Sequence, residues 1–552
     1  MWSVDVKRSA SYTRMKVFFP TDRSVRPLFS PVKFLYHIVM DLISEQHAES
    51  RFVAAVLAVC SVVSVLLSLW CIHIDHVINN DGIEYIRTAE RLADSDWAGA
   101  IAVYKWPFYP LLMLLVSKIA GVSYLVSGYI LNTLFFTGSV VLFVLTVRVF
   151  GGDSKRLTVL AAFVALTHPA FNEYRAFIIR DAGYLMSFLA ALYFLGHYRV
   201  LGDFYHRLGV ILALLVASLF RIEGLVFLFC TPILFSVFRP RALGLRWPVL
   251  MITVVAAAAL VVVLAWWLLM PNVSVNHLSV LDQPLQVLTT AWHQLAGGVG
   301  HKLTILRSEF LGQYSSKYVY VLFGSAIFMI VASAILSQLT VPWGVLLVYG
   351  AVGRHSFRDS GLDRLWLSVI GMHLVILAIF ASIMLFLAPR YPLALAMTVL
   401  LIAPFVLEKL FFSLNWRELS IARRSAIILL LLWGVGESIS GLDNATRAES
   451  VKASGVWLAQ HAVETGSLVT NDRRIAFYSN RYLDRDFIGS DHRLILQDLA
   501  KGRWSQSEFI ALRFHRRQDH TNAREQLEAL GATFVEIFSQ PRGDTVIVYR
   551  LP

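Results

Sequence analysis

A carboxylate and a lysine stand close together after the first long apolar segment of the chain, and their types and spacing suit a reaction site. Asp81 lies in the run NNDGIEY, just past that segment, and Lys105 follows in the run YKWPFYP. Ionisable residues at a membrane boundary cost free energy to hold there, so they are candidates for function. A carboxylate can accept a proton from a nucleophile, and a lysine can hold a phosphate. The pair predicts a site where a lipid phosphate meets a nucleophile.

The composition determines the class of protein in which these residues act. Of the 552 residues, 57% are hydrophobic and only 16% are charged. Apolar runs of about 18 residues or more recur, each long enough to cross roughly 30 Å of hydrocarbon. The chain is therefore predicted to be a polytopic α-helical membrane protein. Its net charge of +12 fits basic cytoplasmic loops and anionic lipids better than a nucleic acid partner.

The distribution of Lys and Arg gives the predicted spans an orientation. The N-terminal segment, 1–51, is basic and lacks an apolar run suited to a signal peptide, so we expect it in the cytoplasm. Alternating spans then place five basic loops on the same side of an inner (cytoplasmic) membrane. The short apolar segment 340–352 leaves the count of about eleven open by one or two. The predicted spans are 52–72, 123–147, 157–170, 182–198, 208–221, 224–238, 247–270, 319–339, 366–387, 391–408 and 425–441.

This topology brings four stretches with charged residues to the outer face. In the first, apolar residues recur at helical spacing from Ile83 to Leu92, which predicts a helix along the membrane surface. Charges that the positive-inside rule does not explain thus collect on one side, as expected for an active site at a membrane interface. The four stretches are 73–122, 168–184, 271–318 and 389–392.

The chain changes character at its C-terminal end. We divide it into the segment 1–51, a membrane domain over 52–441 with the external loop 73–122, and a C-terminal domain over 442–552. In the last, apolar runs shorten, and strand-like segments such as 509–513 and 545–549 alternate with helical ones. This alternation predicts a small α/β domain. An odd number of spans places it on the extracytoplasmic side.

At these motifs the chain resembles the membrane glycosyltransferases of the GT-C type, particularly the protein O-mannosyltransferases of bacteria and the lipid A aminoarabinose transferase. The resemblance covers roughly residues 50–440 and extends loosely to the outer domain. Its four landmarks are Asp81 with Tyr85, the segment Lys105 to Leu111, Arg175 with Arg180 and Asp181, and Arg390 with Tyr391. The resemblance implies transfer of a sugar from a polyprenyl-phosphate-sugar donor to a lipid, glycan or protein acceptor at the outer face of the membrane.

The same resemblance assigns the acid–base chemistry. It makes Asp81 the general base that deprotonates the acceptor hydroxyl. The alternative for Asp81 is an N-cap of a helix that starts at Gly82. Glu84 is a second catalytic candidate, although it could equally complete a capping box or pair with Arg87 or Arg91. Asp181 is either a further acidic residue of the site or the ion-pair partner of Arg180.

Fixed cations should stabilise the phosphate that leaves. Lys105 and Arg390 are the first candidates, with Arg175 and Arg180 behind them. Tyr85 and Tyr391 join the substrate-binding group through the resemblance. The alternative for the cations is snorkelling of long side chains to the lipid headgroups.

No residue is assigned as a metal ligand. Some relatives hold a divalent ion through acidic or histidine residues near the lysine, but Tyr104, not an acid, stands before Lys105 here. The histidines of the outer stretches lack a tight ligand spacing, so no cofactor is certain and a divalent metal stays open. A polysaccharide polymerase or ligase, or a transporter of lipid-linked glycans, remains the alternative function. The histidines concerned are His168, His277, His293 and His301.

Overall fold

The computed structural model describes the backbone of residues 4–9, 12–17 and 31–552 with gaps, and side chains from Glu49 onward. The predicted span 247–270 and much of the predicted loop 271–318, including His277 and His293, lie outside the described residues. The gaps are at 76, 152–153, 239–296, 353–356, 358, 414–419, 443–448, 462–466, 482–490, 505–506, 516–517 and 541–542.

Helices build the membrane domain, as the apolar runs predict. Five of them are long and apolar enough to cross a membrane, and shorter apolar helices accompany them. The protein is a multi-pass membrane protein. The first helices are α1 Pro31–Ile74, α2 Asn80–Ala93, α3 Trp97–Val103, α4 Phe108–Ala120, α5 Tyr124–Gly151, α6 Lys155–Thr167, α7 Asp181–Leu201, α8 Phe204–Phe220 and α9 Ile222–Val237. Beyond the large gap, a helix covers 297–305, and the later helices are Val319–Leu339, Val341–Val352, Ser360–Met384, Leu393–Leu400, Ala403–Glu408 and Ile421–Leu442.

The two sides of these helices differ in what they contact. Phe136, Val140 and Phe143 on α5 are fully buried among neighbouring helices, whereas Leu66 on α1 and Leu429 on Ile421–Leu442 are more than half exposed. Apolar side chains that face outward from a helix bundle are expected where the surroundings are lipid. The burial pattern thus agrees with the hydropathy of the sequence.

The structure gives the conformation of one segment that the sequence left open and differs from the sequence-based expectation in two other elements. The segment 341–352 forms a helix of its own, directly after Thr340. The apolar helix α4 occupies part of the stretch that we expected to be an external loop. Near the N-terminus, the strands Val4–Ser9 and Tyr12–Val17 pair antiparallel, a hairpin that composition and charge do not indicate.

The C-terminal domain has the α/β architecture predicted for it. Its sheet runs in the order β3 Leu468–Thr470, β4 Phe509–Phe514, β6 Thr545–Arg550 and β5 Thr533–Ser539, numbered after the two N-terminal strands. Strand β3 is parallel to β4, and the other pairs are antiparallel. The helices of the domain are Glu449–His461, Arg473–Tyr478, His492–Ala500 and Thr521–Ala529.

The C-terminal domain rests on the segment that carries Asp81. The hydroxyl of Tyr478 accepts a hydrogen bond of 2.9 Å from the backbone N–H of Ile78. Arg473 of the same short helix forms an ion pair with Glu84 on α2, with an N–O distance of 2.7 Å. These contacts join residues about four hundred positions apart in the chain.

Candidate active site

Charged side chains from four helix ends meet in one group, the charged cluster, at the end of the bundle where the C-terminal domain lies. Nη2 of Arg390 is 2.5 Å from a carboxylate oxygen of Asp81, and its Nε is 3.6 Å from Asp181. Asp181 also binds Arg221, whose guanidinium binds Glu223 in turn. The structure therefore brings together Asp81, Asp181 and Arg390, three residues that the sequence places in separate motifs.

Helix termini hold the members of the charged cluster. Asp81 lies in the first turn of α2 and Asp181 is the first residue of α7. Carboxylates are favourable there because the helix dipole leaves partial positive charge at the N-terminus. Arg221 occupies the junction of α8 and α9, and Arg390 lies between two late helices. Because α2 begins at Asn80, Asp81 is inside the helix, and Asn79 is the N-cap instead.

The charged cluster has a buried half and an open half. The side chains of Asp181 and Arg221 are 5% and 7% exposed, whereas those of Asp81 and Arg390 are 34% and 24% exposed. Burial disfavours the charge of Arg390, but Asp181 and Asp81 outweigh it and raise the pKa of this guanidinium above its ordinary value. Arg390 is therefore a permanent cation. The exposed fractions show that a substrate can reach Asp81 and Arg390 but not the buried half of the charged cluster.

A group of tyrosines stands beside the charged cluster. The ring of Tyr85 packs edge-on against those of Tyr104 and Tyr109, with centroid distances of 5.0 and 5.1 Å. The guanidinium carbon of Arg180 lies 5.4 Å from the centre of the Tyr104 ring. Burial raises the pKa of Tyr85 well above its ordinary value, with the neighbouring Tyr104 and Asp81 adding to the shift. Tyr85 is thus a protonated packing residue in this structure, 2% exposed.

Tyr391 packs against the buried half of the charged cluster. The guanidinium carbon of Arg221 lies 4.7 Å from its ring centre. The ring of Phe380 contacts it from another side, with a centroid distance of 5.0 Å. Cation–π contacts of this kind stabilise a desolvated arginine. The Arg-Tyr motif thus supplies both a charge and a ring to the same group.

Lys105 offers an exposed positive charge next to this arrangement. Within the part of the chain that the structure describes, it forms no ion pair or hydrogen bond, and its neighbour Tyr104 contacts Arg180. Nε1 of Trp106 donates a hydrogen bond of 2.6 Å to the carbonyl of Leu219, close to Arg221. This bond fixes the lysine-bearing segment to the turn that holds the charged cluster.

Two predicted residues lie away from the charged cluster. Arg175 is completely buried and donates hydrogen bonds to Asn172, Ser64 and Ser68, so it braces α1 against the segment before α7. Glu84 does not stand three residues after the N-cap of α2, which is Asn79, so it completes no capping box, and it forms an ion pair with Arg473. In the structure, the side chains of both residues bind other groups of the protein.

Arg221 and Glu223 are not among the site residues predicted from the sequence. They form a buried ion pair, and Asp181 joins that pair to Arg390. Asp181 thus has Arg221 and Arg390 as its ion-pair partners. The sequence left open whether it belongs to the site or pairs with Arg180. The signal that could have included Arg221 and Glu223 is the position of the run RIEG at the end of a predicted span, the same end as Asp181.

No group of three or more His, Cys, Asp and Glu residues with the geometry of a metal site occurs among the described residues. The donors in the charged cluster are carboxylates already neutralised by arginines, which compete with a cation. The carboxylates of the charged cluster therefore do not form a ready ligand set for a divalent ion.

Comparisons with known proteins bear on the fold. No protein-family model matches the sequence, and a search of curated proteins found no match. Two solved structures of ArnT from Cupriavidus metallidurans are similar. The apo structure has a TM-score of 0.50 at 14% identity, covering 91% of this chain and 98% of that one. The structure bound to undecaprenyl phosphate has a TM-score of 0.54 at 12% identity, covering 90% and 98%.

The chain has the GT-C fold. The resemblance read from its motifs and the fold of the whole chain thus agree. At these identities the likeness concerns the arrangement of elements, and function depends on the residues of the site.

Proposed function

We propose that the protein is an integral-membrane glycosyltransferase that moves a sugar from a polyprenyl-phosphate donor to an acceptor at the membrane surface. The observation that carries this proposal is the meeting of Asp81, Arg390 and Asp181, with Lys105 exposed nearby. A general base and fixed cations are the two requirements of sugar transfer from a lipid phosphate. Its support from comparison is that one ArnT structure of the same fold binds undecaprenyl phosphate.

In the proposed reaction, Asp81 takes the proton from the acceptor hydroxyl as its oxygen attacks the anomeric carbon of the donor sugar. The bond between that carbon and the phosphate oxygen breaks, and the polyprenyl phosphate leaves with the bonding electrons. Attack from the face opposite the phosphate inverts the anomeric centre. The negative charge that grows on the phosphate is stabilised by Lys105 and Arg390.

The ion pair between Asp81 and Arg390 suggests how the base becomes available. Arg390 forms an ion pair with Asp81, with an N–O distance of 2.5 Å. A donor phosphate would compete for the same guanidinium, since arginine binds phosphate oxygens strongly. The phosphate would thereby release Asp81 toward the acceptor. Asp181 and Arg221 stay buried and keep Arg390 in position throughout.

Mass spectrometry of the surface lipids, glycans and proteins tests this proposal. Cells with and without the gene should differ in one sugar-modified component, and the polyprenyl-phosphate sugar should accumulate in cells that lack it. The modified component identifies the acceptor. Equal modification in both kinds of cell, or a donor retained on the wrong side of the membrane, would argue for no transfer or for transport instead.

A further inference from the structure

Asn79 uses its side chain in an unusual way for the residue before a helix. Asparagine is a favoured N-cap because its side chain can accept hydrogen bonds from the first turn. Asn79 is the N-cap of α2, yet its side chain makes no capping hydrogen bond. Its Oδ1 accepts a hydrogen bond of 2.8 Å from the backbone N–H of Ile178, and its Nδ2 donates one of 3.1 Å to the carbonyl of the same residue.

This double hydrogen bond joins the two segments that carry the carboxylates around Arg390. Asn79 stands two residues before Asp81, and Ile178 stands three residues before Asp181. Both carboxylates form ion pairs with Arg390, at 2.5 and 3.6 Å. A movement of the 178 segment relative to α2 would therefore change how Arg390 is shared between them.

The side chain of Ile178 is seated tightly in the same place. It is completely buried. A Cβ atom at Gly82 of α2 would lie 3.2 Å from its Cβ, and one at Gly128 of α5 would lie 2.8 Å from its Cγ2. Two glycines thus leave room for Ile178, and Asn132 donates a hydrogen bond to the carbonyl of the preceding residue. The segment before Asp181 is held from both helices.

We propose that Asn79 is a positioning residue, which sets the distance between Asp81 and Asp181 and so the placement of Arg390. This inference rests on the proposed function. It assigns Asn79 no contact with substrate. Misplacement of reacting groups by about 1 Å can cost on the order of 100-fold in rate, so the effect should be on turnover.

The test compares Asn79→Ala with Asn80→Ala in the full-length protein. Asn80 is the adjacent asparagine, exposed on the first turn of α2. We expect Asn79→Ala to lower kcat for sugar transfer by about 10- to 100-fold, with donor KM changed by less than about threefold. Asn80→Ala should match the wild type. Asn79→Asp keeps the acceptor for the Ile178 N–H but loses the donor, so it should recover part of the loss.

A second measurement separates positioning from a loss of folding. In an Asp81→Asn background, Asn79→Ala should lower the residual rate by a smaller factor than in the wild-type background, because Asp81, one of the two carboxylates whose separation it sets, is already gone. If the wild type transfers sugar and the Asn79→Ala and Asn80→Ala variants have the same kcat, the positioning role is overturned but the proposed function is not. An equal loss from Asn79→Ala in both backgrounds would likewise overturn the positioning role alone. A wild-type protein that transfers no sugar would instead refute the proposed function, and the positioning role with it.

Discussion

At the scale of single residues, the two carboxylates that face Arg390 differ in what they can do. Asp181 is buried between Arg221 and Arg390, so its negative charge is balanced by ion pairs within the protein. Asp81 is 34% exposed and pairs with Arg390. Of the two, Asp81 is the one that a substrate can reach. On the cationic side, Lys105 is exposed.

Lys105→Ala should weaken the interaction with the donor phosphate. A hydrogen bond to a charged group contributes about 1.5–3 kcal/mol, which corresponds to a rise in donor KM of roughly 10- to 150-fold. Lys105→Arg should retain part of the affinity, since it keeps the charge. Lys118→Ala, at the exposed end of α4, is the matched control and should leave KM unchanged. An unchanged KM in Lys105→Ala would contradict a role in phosphate binding.

Arg221→Gln should destabilise the protein strongly. It leaves Asp181 and Glu223 buried without their shared cation, and breaking a buried ion pair from one side costs about 3–5 kcal/mol. Arg91→Gln removes an ion pair whose side chains are 52% and 37% exposed, and such surface pairs contribute about 0–1 kcal/mol. The thermal midpoint in detergent should thus fall far more for Arg221→Gln. Equal midpoints would show that Arg221 is not part of a buried network.

At the scale of elements, helix ends explain both what the sequence predicted and what it missed. Apolar runs locate spans well because length and hydropathy are local properties, as for α5. The alternation of spans then predicts which ends share a side, and the contact between Asp81 and Arg390 agrees with that expectation. The pairing of Glu84 with Arg473 is set by how the C-terminal domain docks, which local patterns do not encode.

The C-terminal domain has an acid-sensitive ion pair of its own. Asp472 is buried and binds Arg474 and Arg513 at 2.6 Å each. Burial opposes its charge, but the two arginines outweigh it and hold the pKa of Asp472 below its ordinary value of 3.8. The folded domain therefore favours the ionised form. This stabilisation is fully present above pH 3.8 and is lost as the pH falls through the lower, folded-state pKa.

Asp472→Asn removes the group that titrates. We expect the variant to be less stable than the wild type at neutral pH, because both arginines lose their partner charge. Its free energy of unfolding should then change less than that of the wild type as the pH is lowered from 5 to 3. Limited proteolysis of the domain across this range measures the difference. Parallel pH profiles for the two proteins would contradict the role given to Asp472.

At the scale of the whole molecule, the fold brings residues from distant parts of the chain to one end of the bundle. Asp81, Arg221 and Arg390 come from three separate hairpin ends, and the C-terminal helix Arg473–Tyr478 rests on the segment that holds Asp81. The apolar runs and motifs of the sequence predicted the fold class and the placement of Asp81 and Arg390 on one side. They missed the shared role of Arg221, because an Arg–Glu pair two residues apart already accounts for its charge locally.

The turnover of the polyprenyl-phosphate sugar in an Asp81→Asn protein tests the central claim most directly. Asp94→Asn, at the exposed far end of the same helix, is the matched control. Both variants are compared with the wild type at equal amounts of inserted protein, by mass spectrometry of the donor and the modified acceptor. We predict that Asp94→Asn transfers sugar like the wild type, whereas Asp81→Asn loses about 100-fold or more, as expected when a general base is removed. Transfer at the wild-type rate by Asp81→Asn would contradict the assignment of Asp81 as the catalytic base.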